Sequence, residues 1–465
     1  MSADLYDVIV LGAGSTGTNV AWYARHHGLT VAVVEERLVG GECSYFACIP
    51  SKSLLHPTEV VAAARRVPGA AAAVSGELDA GEVLRRRDEW THELDDGAQA
   101  SWLEELGVDL RRGTARLAGE RRVEVRDEQG RVRELTATRG VVIATGSRPA
   151  LPPIDGLDRT RVWTNREATQ AERIPDRLLV LGGGPVGCEL AQGFARLGAT
   201  VTVLEMADRL LMPYEPEVGT LLGEAFEAEG ISVRTGTTVD SLTRDGEDGP
   251  VTVTTAAGEE LVADELLVAA GRTPNTDRLG LETVGLEPGG SLAVDDRLAV
   301  DGVAGGWLYA AGDVNGRALL THQGKYQARI VGDVLAGRDV TAWADHTAVG
   351  QVVFTDPQVA AVGVTEAAAR EAGMDVRTVR SDPNAVAGGA LHGHGYGAAT
   401  LVIDQRRRVV VGASFVGPGV GELLHAATVA IVGAVPLETL WHAVPAFPTT
   451  SEVWLRLLEA ERGVS

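Results

Sequence analysis

The chain is poor in cysteine, in lysine and in long apolar runs, and each shortage excludes something. Only Cys43, Cys48 and Cys188 stand in 465 residues. Three cysteines cannot knit a disulfide framework, and the close spacing of the first two points to redox or metal chemistry instead. No apolar stretch reaches the roughly 18 residues that a membrane span needs. No basic segment with a long apolar one after it precedes the first strand-like run, Val8 to Leu11. Neither a membrane partner nor a signal peptide is therefore expected, and a cytoplasmic location is. Positive charge is short as well: the net charge is −22 and no basic stripe is visible. Nucleic acid is not an expected partner; the charge serves solubility. Of the 42 lysines and arginines only Lys52 and Lys325 are lysine. The bias toward arginine is compositional, but a site that keeps lysine within it can require a point charge that a guanidinium does not supply. Lys52 follows Cys48 by four residues.

What is present is two nucleotide-binding patterns. At roughly 100–200 residues per domain the length allows two to four domains, and 45% apolar residues is ordinary for a globular chain. The run DVIVL (7–11) reads as a strand and is followed by Gly12-Ala13-Gly14-Ser15-Thr16-Gly17. An Ala-rich helical stretch then leads to a second strand, Thr30 to Val34, ending at Glu35. Gly12, Gly14 and Gly17 allow a tight turn and close backbone approach to a pyrophosphate at a helix N-terminus, and Glu35 can accept from ribose hydroxyls. The unit recurs: strand Leu178 to Leu181, then Gly182, Gly184 and Gly187 within Gly182-Gly183-Gly184-Pro185-Val186-Gly187, a helix, and strand Thr200 to Leu204 ending at Glu205. First glycine and acid are 23 positions apart in both copies. Two complete units argue for two bound dinucleotides. A carboxylate at position 205 suits the 2′-hydroxyl of NAD(H) and repels a 2′-phosphate, by about 1–4 kcal/mol at about 4 Å; Glu36 reads as a solvated neighbour.

The stretch Gly40-Gly41-Glu42-Cys43-Ser44-Tyr45-Phe46-Ala47-Cys48-Ile49-Pro50-Ser51-Lys52 opens a further helix. It resembles the active-site segment of the class I pyridine nucleotide–disulfide oxidoreductases. The resemblance continues in order along the chain: Val141 to Pro149 with Thr145 and Gly146, Gly271-Arg272-Thr273-Pro274-Asn275-Thr276, Tyr309 to Asp313, and Val353 to Pro357. It implies an α/β fold of two Rossmann-like dinucleotide-binding domains and a C-terminal α/β dimerisation domain. The FAD-binding domain is expected at 1–150 and 277–346, the NAD-binding domain at 151–276 and the dimerisation domain at 347–465. FAD and NAD(H) are the implied cofactors, a small molecule the substrate, and a homodimer with shared active sites the assembly.

By the same resemblance Cys48 is the flavin-facing, charge-transfer thiolate and Cys43 the interchange thiol that attacks substrate. Lys52 stands near the flavin edge, paired with Glu189, and Asp313 holds flavin hydroxyls. The helix from Leu320-Thr321-His322-Gln323 points its positive end at the flavin. Independently of the family, a thiolate at a helix start is stabilised by the macrodipole, which lowers its pKa. The redox reading of the pair is preferred over two reduced structural cysteines or a metal pair, and Cys188 reads as a packing residue.

One departure bears on chemistry. Where the family's disulfide reductases carry a catalytic His-Pro ahead of Ser-Glu, this chain has Phe447-Pro448-Thr449-Thr450-Ser451-Glu452. His442 is the nearest histidine. A positioned general acid–base is worth roughly 10²–10⁴ in rate, so an ordinary alkyl disulfide becomes a poor substrate. Three routes stay open: an acidic or strained disulfide, an acceptor taking electrons directly from the flavin, or a substitute acid such as His442. Mercuric reductases also lack that histidine but carry a cysteine pair near the C-terminus, and no cysteine follows Cys188 here. Tyr45 and Phe46 read as packing residues, and Gly388 to Gly397, with His392 and His394, as a flexible surface loop. The expected function is an FAD-dependent NADH oxidoreductase that reduces a disulfide-type substrate through Cys43 and Cys48. The alternatives are a diaphorase-type quinone or metal-ion reductase and a redox-sensing flavoprotein with weak catalysis.

Overall fold

Val8 to Leu11 carry apolar side chains at four consecutive positions, a pattern that survives only where both faces of a strand are covered, as in a parallel sheet. The computed structural model describes residues 4–393 and 395–464 and places all four at 1% exposure or less. The chain divides into two compact units. The first takes Met1–Pro50, Asp88–Ala150 and Arg272–Asp345, the second Ser51–Arg87, Leu151–Gly271 and His346–Ser465.

The first unit is built on a sheet that begins β1 (Asp4–Leu11) and β2 (Val31–Glu35) and adds β3 (Asp109–Arg112), β4 (Thr114–Leu117), β5 (Arg122–Arg126) and β6 (Val132–Ile143), in the order β3-β2-β1-β6-β5-β4. A short strand, Leu308–Ala310, joins the C-terminal half of β6 in parallel. The β1–β2 and β1–β6 pairs are parallel. The connection from β1 to β2 runs through helix α1 (Ser15–His26), and strand order reverses beside β1, so the loop leaving it opens onto the crevice where such sheets bind ligands. One face of the sheet packs Val8, Val10, Val20, Ala21 and Val331, the other Ile9, Leu11, Ile143, Leu281 and Trp307.

The second unit holds a four-stranded parallel sheet of β7 (Arg177–Leu181), β8 (Thr200–Leu204), β9 (Ser232–Arg234) and β10 (Glu265–Val268), in the order β9-β8-β7-β10. It also holds an antiparallel five-stranded sheet of β11 (Gly350–Val353), β12 (Gln358–Gly363), β13 (Val376–Ser381), β14 (Ala398–Asp404) and β15 (Val409–Gly417), in the order β11-β12-β15-β14-β13. Phe194 and Phe226 from the parallel part lie in the same apolar cluster as Val353, Val359 and Val416 from the antiparallel part. Burying such a side chain contributes about 1.5–3 kcal/mol, so the segments expected as separate domains at 151–276 and 347–465 share apolar packing. A second cluster sets Phe415 against Trp454, ring centroids 5.9 Å apart. No helix among the described residues is long and apolar enough to cross a membrane.

Candidate active site

Two loops of the same construction occupy the ends of β1 and β7. A methyl group on Gly12 would lie 2.6 Å from the Ala144 carbonyl oxygen, and one on Gly17 would lie 1.9 Å from that of Gly12. In the second loop Gly182 would meet the Ala269 oxygen at 2.5 Å and Gly187 the Gly182 oxygen at 1.9 Å. Both φ angles at the turn are left-handed, 98° at Gly12 and 113° at Gly182, a region only glycine enters freely. The middle glycines differ: a methyl on Gly14 or on Gly184 would meet no protein atom within 4 Å. Packing of the protein itself demands the outer two glycines of each loop, whereas the middle one leaves room on the open side for a group from outside the chain. That vacancy at a helix N-terminus suits a pyrophosphate, so both loops fit the dinucleotides named above.

The acids at the ends of the second strands hold these loops. Glu35 accepts from the backbone N–H of Ala13 at 2.6 Å and of Arg37 at 2.8 Å. Burial pushes its pKa upward against those two bonds. Glu205 accepts from Gly183 N–H at 2.6 Å and Ala207 N–H at 2.7 Å. Cys188 is fully buried beneath the second loop and donates to the Gly183 carbonyl at 3.3 Å. Glu36 is exposed, with Arg278 at 3.5 Å.

Around the first loop a polar network ties distant segments together. Thr145 donates to the Asn275 carbonyl at 2.8 Å, and Asn275 N–H donates to the Gly146 carbonyl at 3.0 Å. Ser147 donates to Asp313 Oδ2 at 2.6 Å and accepts from Arg272 Nε at 2.6 Å. Arg272 in turn lies 3.8 Å from Glu42 and 3.7 Å from Asp313. Gly271, with φ 120°, makes the turn that delivers Arg272. Ser147 is the hub of this network, a part that its place in the motif Val141 to Pro149 does not announce.

Cys43 sits on the short helix α2 (Gly41–Tyr45), and Cys48 is the first residue of α3 (Cys48–Arg66). Both are free thiols, partly buried, and they hydrogen-bond to each other. Helix α4 spans Pro185–Arg196 and α5 spans Thr321–Leu335; Thr321, the first residue of α5, brings its Oγ1 to 3.3 Å from Cys48 Sγ. Thr321 also hydrogen-bonds Cys43. The lowered thiol pKa expected at this helix start does not extend to Cys43. Its hydrogen bond with Cys48 pushes it up, and burial and the charge on Cys48 add to the shift. Two sulfurs in contact cannot both carry charge cheaply, so ionisation of Cys43 is opposed whenever Cys48 is ionised.

Further along α3, Lys52 Nζ lies 2.6 Å from Glu189 Oε2, a carboxylate of α4 that is 7% exposed. The other oxygen, Oε1, accepts from Phe354 N–H at 2.9 Å, and the Phe354 ring lies 4.8 Å from the Lys52 ammonium. Phe354 is a second participant that sequence reasoning did not assign. Replacing Lys52 by methionine leaves the buried Glu189 with one backbone donor. Urea unfolding is expected to show a loss of about 1–3 kcal/mol, below the 3–5 of a fully buried pair because Lys52 is 35% exposed. Adding Glu189→Gln is expected to restore part of that loss.

The C-terminal motif is placed differently from the rest. Phe447 is 76% exposed. Glu452 bonds Arg456 at 2.8 Å through Oε1, while its Oε2 is buried without a partner. His442 is exposed, and no contact among the described residues joins it to Glu452. The loop expected from Gly388 starts instead as a short helix, Ala387–Ala390, with Gly388 and Gly389 buried. A methyl on Gly388 would fall 2.0 Å from the Thr449 carbonyl carbon, so the glycine there serves close backbone packing rather than mobility. His392 is exposed, and His394 lies outside the described residues. Tyr45 is 1% exposed and donates to the Asp95 carbonyl at 3.3 Å.

Comparison with known proteins agrees with this arrangement along nearly the whole chain. Residues 6–328 match the model of the pyridine nucleotide-disulphide oxidoreductases, and residues 349–457 match that family's dimerisation domain. A dihydrolipoyl dehydrogenase of Thermus scotoductus is 36% identical over 463 residues, 98% of this chain and 97% of the relative. A mercuric reductase of Lysinibacillus sphaericus is 32% identical over 456 residues, 97% of this chain and 82% of the relative. Among solved structures, LpdA from Mycobacterium tuberculosis superposes with a TM-score of 0.87 at 26% identity, covering 99% of this chain and 100% of that one. The Cu(II) complex of the HOCl-induced flavoprotein disulfide reductase RclA from Escherichia coli gives 0.86 at 25% identity, over 99% and 100% of the two chains. With both family models matched and both glycine loops shaped for their ligands, the chain belongs to the pyridine nucleotide-disulphide oxidoreductases, flavin-dependent enzymes that use FAD and NAD(P)H.

Proposed function

We propose that this enzyme oxidises NADH and delivers the electron pair to a Cys43–Cys48 disulfide, which then reduces a thiophilic acceptor. The observation that carries the reading is the meeting of Cys43, Cys48 and Thr321 at the junction of α2 and α3, with the two sulfurs hydrogen-bonded to each other. FAD, held by the first glycine loop, supplies the two-electron link between nicotinamide and disulfide. Two electrons break the S–S bond; one proton goes to Cys43 and Cys48 keeps the negative charge. For a disulfide acceptor, Cys43 loses its proton and attacks one sulfur, the other leaves as a thiolate, and Cys48 attacks the mixed disulfide to restore the starting bond. FAD is assigned to the parts at 1–150 and 277–346, NAD to 151–276 and dimerisation to 347–465. Glu452 is assigned to an active site shared in a homodimer.

A second acceptor class is favoured by position 447. Phenylalanine supplies no proton to a departing thiolate, and a thiophilic metal ion requires none. Two cupric ions can take one electron each as the Cys43–Cys48 bond re-forms and the Cys43 proton passes to solvent; a relative solved as a Cu(II) complex and relatives named mercuric reductase support a metal ion as acceptor.

Turnover of wild type and Cys43→Ser with NADH against disulfides, Cu(II) and a quinone separates these readings. The dithiol relay is expected to lose at least about 10²-fold with the first two acceptors in Cys43→Ser. Retained turnover with all three would assign electron exit to the flavin itself and overturn the relay. Cofactor choice follows from Glu205: kcat/KM for NADH is expected to exceed that for NADPH by roughly fivefold to several hundredfold, the range set by one carboxylate–phosphate repulsion. Equal values would remove Glu205 as the discriminator.

A further inference from the structure

Lysine is scarce in this chain, and the two that exist stand on the two helices that reach the dithiol. Lys52, on α3, is committed to Glu189. Lys325 is on α5, four positions after Thr321. Residues at i and i+4 of a helix share a face, with Cβ atoms about 5–6 Å apart. Thr321 contacts both sulfurs, so the face it shares with Lys325 leads to Cys43 and Cys48. Gln323, Gly324, Gln327 and Ala328 are the buried positions around Lys325, which is itself exposed. No carboxylate among the described residues forms an ion pair with Lys325.

We propose that Lys325 is a positioning residue for the attacking sulfur: its unpaired ammonium, carried on the Thr321 face of α5, favours negative charge on Cys43 when that thiol must react. This rests on the dithiol reading above. Chemically it meets a specific need. Once Cys48 holds the pair's charge, Cys43 resists ionisation, and position 447 offers no base to draw its proton. A fixed positive charge is the remaining way to raise the thiolate fraction, and among the influences on Cys43 the field of Lys325 acts downward on its pKa, as does the Thr321 hydrogen bond. The groups that bear on Cys43 are Cys48 from α3 and Thr321 and Lys325 from α5; on its own helix the neighbouring Glu42 faces Arg272 at 3.8 Å. A long flexible stem allows the ammonium to follow the thiolate as it forms and dissolves, which a guanidinium fork does less readily.

The test is alkylation of the reduced holoenzyme by iodoacetamide across pH, with Cys43 identified by peptide mass, in wild type and in a Cys48→Ser background that removes the second ionisable sulfur. In Lys325→Met the midpoint for Cys43 is expected to rise by about 0.5–1 pH unit, slowing alkylation at neutral pH roughly three- to tenfold, and Lys325→Glu is expected to shift it about twice as far. Lys325→Arg is expected to restore most of the shift. In the Lys325-containing proteins the midpoint is expected to climb as salt rises from about 10 mM to about 0.5 M, because screening weakens an exposed charge; a merely structural role has no such dependence. Identical midpoints in the Lys, Met and Glu proteins, with flavin content unchanged, would overturn the proposal. Failure of the relay itself reads out separately, as cysteines that NADH does not reduce, and leaves the alkylation midpoints free to differ.

Discussion

Serine in place of Cys48 is expected to lower NADH-driven reduction of disulfides or thiophilic metal ions by at least about 10³-fold, while the holoenzyme still forms and still consumes its first equivalent of NADH. The size follows from what sulfur does at that position. Serine cannot enter an S–S bond, and its hydroxyl does not ionise near neutrality, so no charge is left beside Thr321 Oγ1, which now faces Cys48 Sγ at 3.3 Å. The thiols act as a unit, and groups that act as a unit are grossly non-additive. Cys43→Ser is therefore expected to cost nearly as much, and the double variant little more than either single one. Steady-state rates for the three variants check this. Independent, multiplying losses would mean that the two sulfurs serve different steps.

Histidine at position 447 is expected to raise turnover with an unactivated alkyl disulfide by about tenfold to a hundredfold and to leave Cu(II) reduction nearly unchanged. The expectation rests on the proposed role of Glu452 at the shared active site. Glu452 keeps one oxygen on Arg456, but Oε2 is buried with no partner, so this carboxylate has an acceptor to spare. Phe447 is exposed, so the substitution disturbs no packed core. A positioned general acid–base is worth roughly 10²–10⁴ in rate; the lower expectation allows for imperfect placement of a grafted ring. Paired assays of both acceptors in wild type and Phe447→His decide the matter. An equal gain with Cu(II) would show that the histidine acts on something other than a leaving thiolate.

What could be read from sequence was what depends on neighbours in the chain. The glycine loops, the strands before them and the acids 23 positions on are local devices, and the structure forms them at those residues. The Lys52–Glu189 contact spans 137 positions, and nothing local foretells it; only the family resemblance supplied that pairing. Thr321 reaches Cys48 from 273 positions away, and Phe354 approaches Glu189 from 165. Their side chains carry no pattern that marks them in advance. The upward shift at Cys43 comes first from its hydrogen bond to Cys48 and then from burial, and neither is visible from the helix-start position alone. Gly388 was misjudged because glycine-rich composition suggests mobility, whereas there the absent side chain admits the Thr449 backbone.

The most direct test is a count of thiols against electrons in the holoenzyme. The oxidised enzyme is titrated anaerobically with NADH, quenched at one equivalent per flavin, alkylated, and its peptides weighed. Cys43 and Cys48 are expected to be linked before NADH and both alkylated after one equivalent, with Cys188 unreactive throughout. Flavin that bleaches at one equivalent while Cys43 and Cys48 stay as they were would contradict the electron path on which every step above depends.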